Sequence, residues 1–304
     1  MKYLSLILIF TSFANILFST ELNFLSEDGT EYNRKDIPEL MVTEYLKEQG
    51  KLIKNGAITK QWASYGKCQE VWRTEKFTIV CGTFGIWTYD QDNTRKIYFE
   101  PKMRPLEIHS CQPLEDGGML IGVNKSLLEL NAEGKIRRLI KIPFLKGKSR
   151  MQMKTVRKLA NGGYIISACG QNKVYILNKA SELVRTINLN KIELPIKANR
   201  IHGVSMLANG NVLIGTGYGK CLIEIDTNDK VVWSLKPQDL PSLGLNYVGG
   251  FVVRENGNIV VAAYNSDYPL FEVTRGKKLV WKLVRNKDLG LDLPTNVNML
   301  AANL

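Results

Sequence analysis

One phrase of the sequence returns in the same frame. Ile108-His109-Ser110-Cys111-Gln112-Pro113-Leu114-Glu115-Asp116-Gly117-Gly118-Met119-Leu120-Ile121-Gly122 is matched by Ile201-His202-Gly203-Val204-Ser205-Met206-Leu207-Ala208-Asn209-Gly210-Asn211-Val212-Leu213-Ile214-Gly215. Weaker copies contain Leu159-Ala160-Asn161-Gly162-Gly163-Tyr164-Ile165-Ile166 and Arg254-Glu255-Asn256-Gly257-Asn258-Ile259-Val260-Val261. Self-similarity at periods of roughly 20 to 50 residues means that each unit buries its apolar face against the next. The chain of 304 residues, long enough for two domains by length alone, is therefore read as one repeat domain.

Each copy reads as a hairpin: an apolar strand, a turn of Asp or Asn followed by Gly, then a β-branched strand. The Asx-Gly pairs are expected to supply the positive φ angles that tight hairpins need. Two further strand candidates follow each hairpin, as in Cys221 to Asp226 and Lys230 to Leu235, and again at Lys278 to Leu283. Four strands per repeat make a propeller blade.

Anchoring on His202 produces a ladder of Lys67, His109, Lys154, His202, Gly249 and Asn296, with spacings of 42, 45, 48, 47 and 47 residues. Six rungs predict an all-β, six-bladed β-propeller, with seven blades as the alternative. The last repeat stops soon after Asn296, while Leu52 to Trp62 aligns without a gap on Phe271 to Trp281. The ring is expected to close by pairing N- and C-terminal strands in one blade, because an open ring would leave strand edges unpaired. Leu40 to Tyr45 fits either a blade strand or, after Pro38, the first turns of a helix.

The N-terminus reads as a secretory signal: Met1-Lys2, an apolar run from Leu4 to Phe18, then Ser19 and Thr20. Residues 1–20 are assigned to it, 21–45 to a lead-in or first strand, and 46–304 to the propeller. The expected location is periplasmic or secreted, with no transmembrane span after cleavage. Cys68, Cys81, Cys111, Cys169 and Cys221 include no CxxC pair and only two histidines accompany them, which argues against a zinc cluster. Their placement at the ends of apolar runs suggests burial, and no pairing can be read from them.

The phrases around His202 and Val231-Val232-Trp233 resemble the blade signature of exported bacterial PQQ-like and arylsulfotransferase-like β-propellers, over roughly residues 50 to 304. Arylsulfotransferases of that fold use a channel histidine as covalent sulfate acceptor. The resemblance would make His202 or His109 the nucleophile, with Lys154, Lys67 or Arg200 stabilising the transferred anion. A full set of the family's catalytic histidines and arginines does not match. PQQ enzymes need a calcium site, and no acidic cluster stands on the ladder, so no cofactor and no metal is expected.

First strands line a propeller's central channel, so the ladder residues should approach one another. Lys67, His109, Lys154, His202 and Asn296, with Asn199, Arg200 and Tyr247 on the loops leading in, are the candidate ligand-binding residues. Such cations and hydrogen-bond donors suit a small anionic or polyhydroxy ligand at the channel mouth. The reading is a binding or interaction module, open to a protein partner, with a transferase or hydrolase working through His109 or His202 as the alternative. The net charge of +12 includes a basic run from Lys135 to Lys158. An exported chain rarely meets nucleic acid, so that run reads as a basic rim.

Overall fold

The computed structural model describes residues 20–102 and 106–299. They form six antiparallel sheets, one per blade, and the helical turns among them are short 3-10 segments only. Blade 1 runs Cys68–Arg73, Thr78–Gly82, Gly85–Tyr89 and Arg95–Phe99; blade 2 runs Ile108–Pro113, Met119–Val123, Ser126–Leu130 and Ile136–Lys141. Blade 3 comprises Val156–Lys158, Tyr164–Ala168, Lys173–Leu177 and Leu183–Asn188, and blade 4 Val204–Met206, Val212–Gly215, Leu222–Ile225 and Val231–Leu235. Blade 5 is built from Phe251–Val253, Ile259–Ala262, Leu270–Val273 and Leu279–Leu283.

Blade 6 closes the ring. Its innermost strand is the C-terminal Pro294–Met299, and the next three are Leu40–Glu44, Gln49–Lys54 and Ala57–Ala63 from the other end of the chain. Val297, Asn298 and Met299 pair with Val42, Met41 and Leu40. Leu40–Glu44 is thus a strand; all five of its residues are buried, which an amphipathic surface helix could not provide.

The lead-in does more than cross the surface. Thr20–Glu21 adds a fifth strand to blade 6 and Phe24–Leu25 adds one to blade 5. Phe24 is fully buried, edge-on to Trp281 with ring centroids 5.3 Å apart. This segment covers the outer edges of the two blades that meet where the ring closes. Of the residues read as a secretory signal, 1–20, only Thr20 is among the described ones, where it pairs with Ile58; residues 103–105 and 300–304 also lie outside them.

The hairpin turns differ from the expectation of positive φ at both Asx and Gly. Only the glycine is left-handed: Gly117, Gly162, Gly210 and Gly257 have φ between 77° and 83°. The Asx side chain caps the turn instead. The backbone N–H of Gly118 donates to Asp116 Oδ1, and those of Gly163, Asn211 and Asn258 donate to Asn161, Asn209 and Asn256, all at 3.0 Å. A short acceptor two residues before the donor holds the corner, so one left-handed residue is enough.

Apolar faces from adjacent blades interdigitate into buried clusters; one joins Ile165, Val174 and Ile187 of blade 3 to Val212, Ile223 and Ile225 of blade 4. Each such side chain contributes about 1.5–3 kcal/mol by leaving water. Buried carboxylates on third strands add directional ties. Glu272 accepts from Arg254 at 2.6 and 2.8 Å, Asn258 at 2.7 Å and Trp281 at 2.7 Å. Glu224 binds Arg275 of the next blade, whose carbonyl accepts from Trp233 Nε1 at 2.8 Å. Trp233 is therefore a joint between blades.

Candidate functional site

The central channel has two ends separated by a waist. At the waist Gly203 N–H donates to Gly249 O at 3.2 Å and Gly250 N–H to Thr295 O at 2.8 Å, so the first strands of blades 4, 5 and 6 bond directly. A Cβ on Gly249 would lie 2.6 Å from Thr295 O, and one on Gly250 2.2 Å from Asn296 Oδ1. Only glycine permits that approach, which explains why the fifth rung carries no side chain.

Beyond the waist lies the end at which chain enters the first strands. His109 and His202 are buried there, 3% and 5% exposed, and Lys154 between them in sequence is half-buried. The His202 ring stands edge-on to Tyr247, centroids 6.0 Å apart. Tyr247 is itself buried, and its hydroxyl donates to Arg200 O at 3.2 Å. Lys67 is exposed, with Nζ 5.2 Å from the Tyr45 ring; exposed Arg200 lies 5.5 Å from the Tyr218 ring. Asn199 is exposed and spends its backbone N–H on Thr216 O at 3.2 Å.

The electrostatics of this end are one-sided. Among the described residues, none of Lys67, Arg150, Lys154 and Arg200 forms an ion pair. Glu107 is the nearby acid, with Oε2 3.5 Å from His109 Nε2. No hydrogen bond closes on either ring nitrogen of His109 or on Nδ1 of His202. Burial pushes the pKa of both imidazoles down to about 3, and Lys154 adds to the shift; for His109 the Ser149 carbonyl pulls weakly the other way. Burial also lowers the pKa of Lys154.

Neutral, unpartnered imidazoles have a consequence for stability. Above about pH 6.5 the rings are neutral in folded and unfolded chains alike; below it the unfolded chain takes up protons that the folded one refuses. Stability is therefore complete above pH 6.5 and lost as pH falls toward the folded value, with a slope of up to about 2.7 kcal/mol per pH unit for two histidines. Urea unfolding at pH 7 and 5 should show the native protein losing on the order of 3 kcal/mol more than a His109→Gln, His202→Gln variant. Equal losses would contradict buried neutral rings.

Asn296 does not join the group. Its side chain turns into a network on the axis, where Nδ2 donates to Glu70 Oε1 at 2.9 Å and Oδ1 accepts from Val297 N–H at 2.9 Å. Glu70 also accepts from Arg157 Nη2 at 2.9 Å, Ser110 Oγ at 3.3 Å and Cys111 N–H at 3.0 Å. The register placed Asn296 on the correct strand, but a short amide beside a buried carboxylate satisfies that carboxylate first. The opposite end of the channel, at the Asx-Gly hairpins, opens into a cavity of about 820 Å³ lined by all six first strands.

Of a belt of tyrosines at the histidine end, the sequence pointed only to Tyr247. Tyr247 stacks edge-on with Tyr218 and Tyr264, at 4.8 and 5.9 Å, and Tyr264 with Tyr45 at 6.4 Å. Tyr218 and Tyr264 follow the ends of second strands in blades 4 and 5. A second ladder counted from those ends would have found them. The basic run resolves into separate duties: Arg157 holds Glu70, Lys158 and Arg137 hold Glu129, and Arg138 reaches Tyr164 and Ser181.

All five cysteines are buried and unpaired. Among the described residues no group of three or more His, Cys, Asp or Glu side chains is placed to hold a metal ion, and no helix is long and apolar enough to cross a membrane.

The sequence matches no family model and no curated protein. By fold it is similar to a protein of unknown function from Bacteroides caccae, with a TM-score of 0.69 and 16% identity over 86% of this chain and 98% of that one. A streptogramin B lyase aligns with a TM-score of 0.60 and 11% identity, over 90% of this chain and 86% of the lyase. A catalytically inactive virginiamycin B lyase from Staphylococcus aureus, solved with quinupristin, aligns at 0.57 and 10% identity over 88% and 90%. At these identities the likeness is one of fold.

Proposed function

We propose that this chain is an exported binding propeller whose histidine end holds a small anionic ligand. One observation carries the reading: His109, Lys154 and His202, from three consecutive blades, converge as neutral rings and an ammonium with no carboxylate paired to it. Buried polar groups are normally hydrogen-bonded, and a small oxyanion would accept from both imidazoles and the ammonium together. Lys67, Arg150 and Arg200 add attraction at the rim, and Glu107 beside His109 is the acid that opposes it. Export is supported by the composition of residues 1–20. A similar fold solved with quinupristin supports reading such a ring as one that accommodates a ligand.

The anionic class is favoured over the polyhydroxy one because the unpaired groups at this end are mainly cations. Transfer chemistry at a histidine needs a second group that fixes the ring's tautomer; Glu107 and the Ser149 carbonyl stand near His109, but no hydrogen bond closes on either of its ring nitrogens or on Nδ1 of His202. Binding is therefore the reading the geometry supports best.

Calorimetric titration with inorganic sulfate and phosphate tests it. The native protein should bind one of them at a single site, and Lys154→Met and His202→Phe should each weaken binding at least tenfold, while the remote Lys179→Met leaves it unchanged. No binding, or equal loss in all three variants, would contradict the reading.

A further inference from the structure

The cavity at the hairpin end has a different chemistry from the histidine end. Its volume of about 820 Å³ falls in the range of small-molecule sites, roughly 300–1,000 Å³. Trp72, Met206, Phe251 and Val252 provide a half-buried apolar wall. Ser205, also half-buried on the lining, has no hydrogen-bond partner for its hydroxyl among the described residues, and Gln112 spends its carbonyl on Lys158 N–H at 2.7 Å, leaving its amide N–H groups.

The two cations on the lining are already matched. Arg157 pairs with Glu70 at 2.9 Å and lies 5.1 Å from the Trp72 ring; Lys158 pairs with Glu129 at 2.7 Å. An anion would have to compete with two carboxylates that belong to the fold, whereas an uncharged ligand would not. None of His109, Lys154 and His202 is on this cavity's lining.

We propose that the hairpin-end cavity is a second binding site, independent of the histidine end, for an uncharged amphipathic small molecule. Its flat apolar body would lie against Trp72 and Phe251, and its hydroxyl or carbonyl groups would meet Ser205 and Gln112.

Fluorescence polarisation with methylumbelliferyl glucoside, an uncharged aromatic glycoside, tests this. The native protein is expected to bind it at one site, saturating by roughly millimolar concentration. Ser205→Trp, which fills the cavity, should weaken binding at least tenfold at an unchanged melting midpoint. Ser205→Ala, which removes only the hydroxyl, should weaken it about three- to tenfold and decides the matter if the tryptophan variant does not fold. Excess inorganic sulfate should not displace the probe, and Lys154→Met should bind it normally. The proposal is overturned if the glucoside does not bind, if both Ser205 variants bind it like the native protein, or if sulfate or Lys154→Met abolishes binding. Loss of sulfate binding with the glucoside retained would sink the histidine-end reading alone.

Discussion

Deleting residues 296–304 abolishes cooperative unfolding of the entire ring instead of loosening one blade. The deletion removes Val297, fully buried, and the pairing of Val297, Asn298 and Met299 with Leu40–Glu44. It also removes the donors from Asn296 to Glu70 at 2.9 Å and from Asn298 to Val71 O at 2.9 Å, the inner of the links between blades 6 and 1. Thr43 loses its contact with Asn296 O at 3.2 Å, and Leu40–Glu44 becomes an open edge facing the channel. Losses of this number and burial are comparable with the typical domain stability of about 5–15 kcal/mol. Urea titration followed by circular dichroism and tryptophan fluorescence should show no sigmoidal transition. A midpoint equal to that of the full chain would show that the ring does not depend on its terminal strand.

Glu70→Ala costs on the order of 3–5 kcal/mol, the usual penalty for stripping one partner from a buried ion pair. Glu70 is fully buried, and its carboxylate gathers donors from blade 2 (Ser110, Cys111), blade 3 (Arg157) and blade 6 (Asn296). Removal leaves those donors facing one another without an acceptor. Glu70→Gln keeps the shape and should cost less, while Arg157→Leu combined with Glu70→Leu should recover part of the loss, since no charge then stays unpaired. Denaturant melts of the singles and the double form the test. A change below about 1 kcal/mol for Glu70→Ala, the size of an ordinary surface effect, would remove the axial network from the account of stability.

Blade number and closure were legible because both rest on local chemistry repeated many times. An Asx-Gly corner marks four of the hairpins, and the gapless match of Leu52–Trp62 to Phe271–Trp281 places the N-terminal strands in the outer part of the closing blade. Leu40–Glu44 stayed ambiguous because the strand on its inner side, Pro294–Met299, is some 250 residues away. Two-residue strands such as Phe24–Leu25 carry no alternation that could be read. The ladder found His109, Lys154 and His202, which one register brings to one end of the channel. It could not say that Asn296 turns toward Glu70, nor find Glu70 itself, whose partners come from three other strands far apart in the chain. Turn type was missed for a related reason: an Asx residue offers both a tolerated left-handed backbone and a capping oxygen, and only the fold shows which is used.

The central claim, that His109 and His202 are held neutral beside an ammonium ready for an anion, is tested most directly by titrating their ring resonances. In protein labelled with carbon-13 histidine, both rings should stay neutral down to the lowest pH at which the fold survives. Saturating sulfate should shift both resonances and raise the pH at which protonation begins, and Lys154→Met should remove most of that response. Rings that titrate near 6.5 as in an open peptide, with no response to sulfate, would contradict the account.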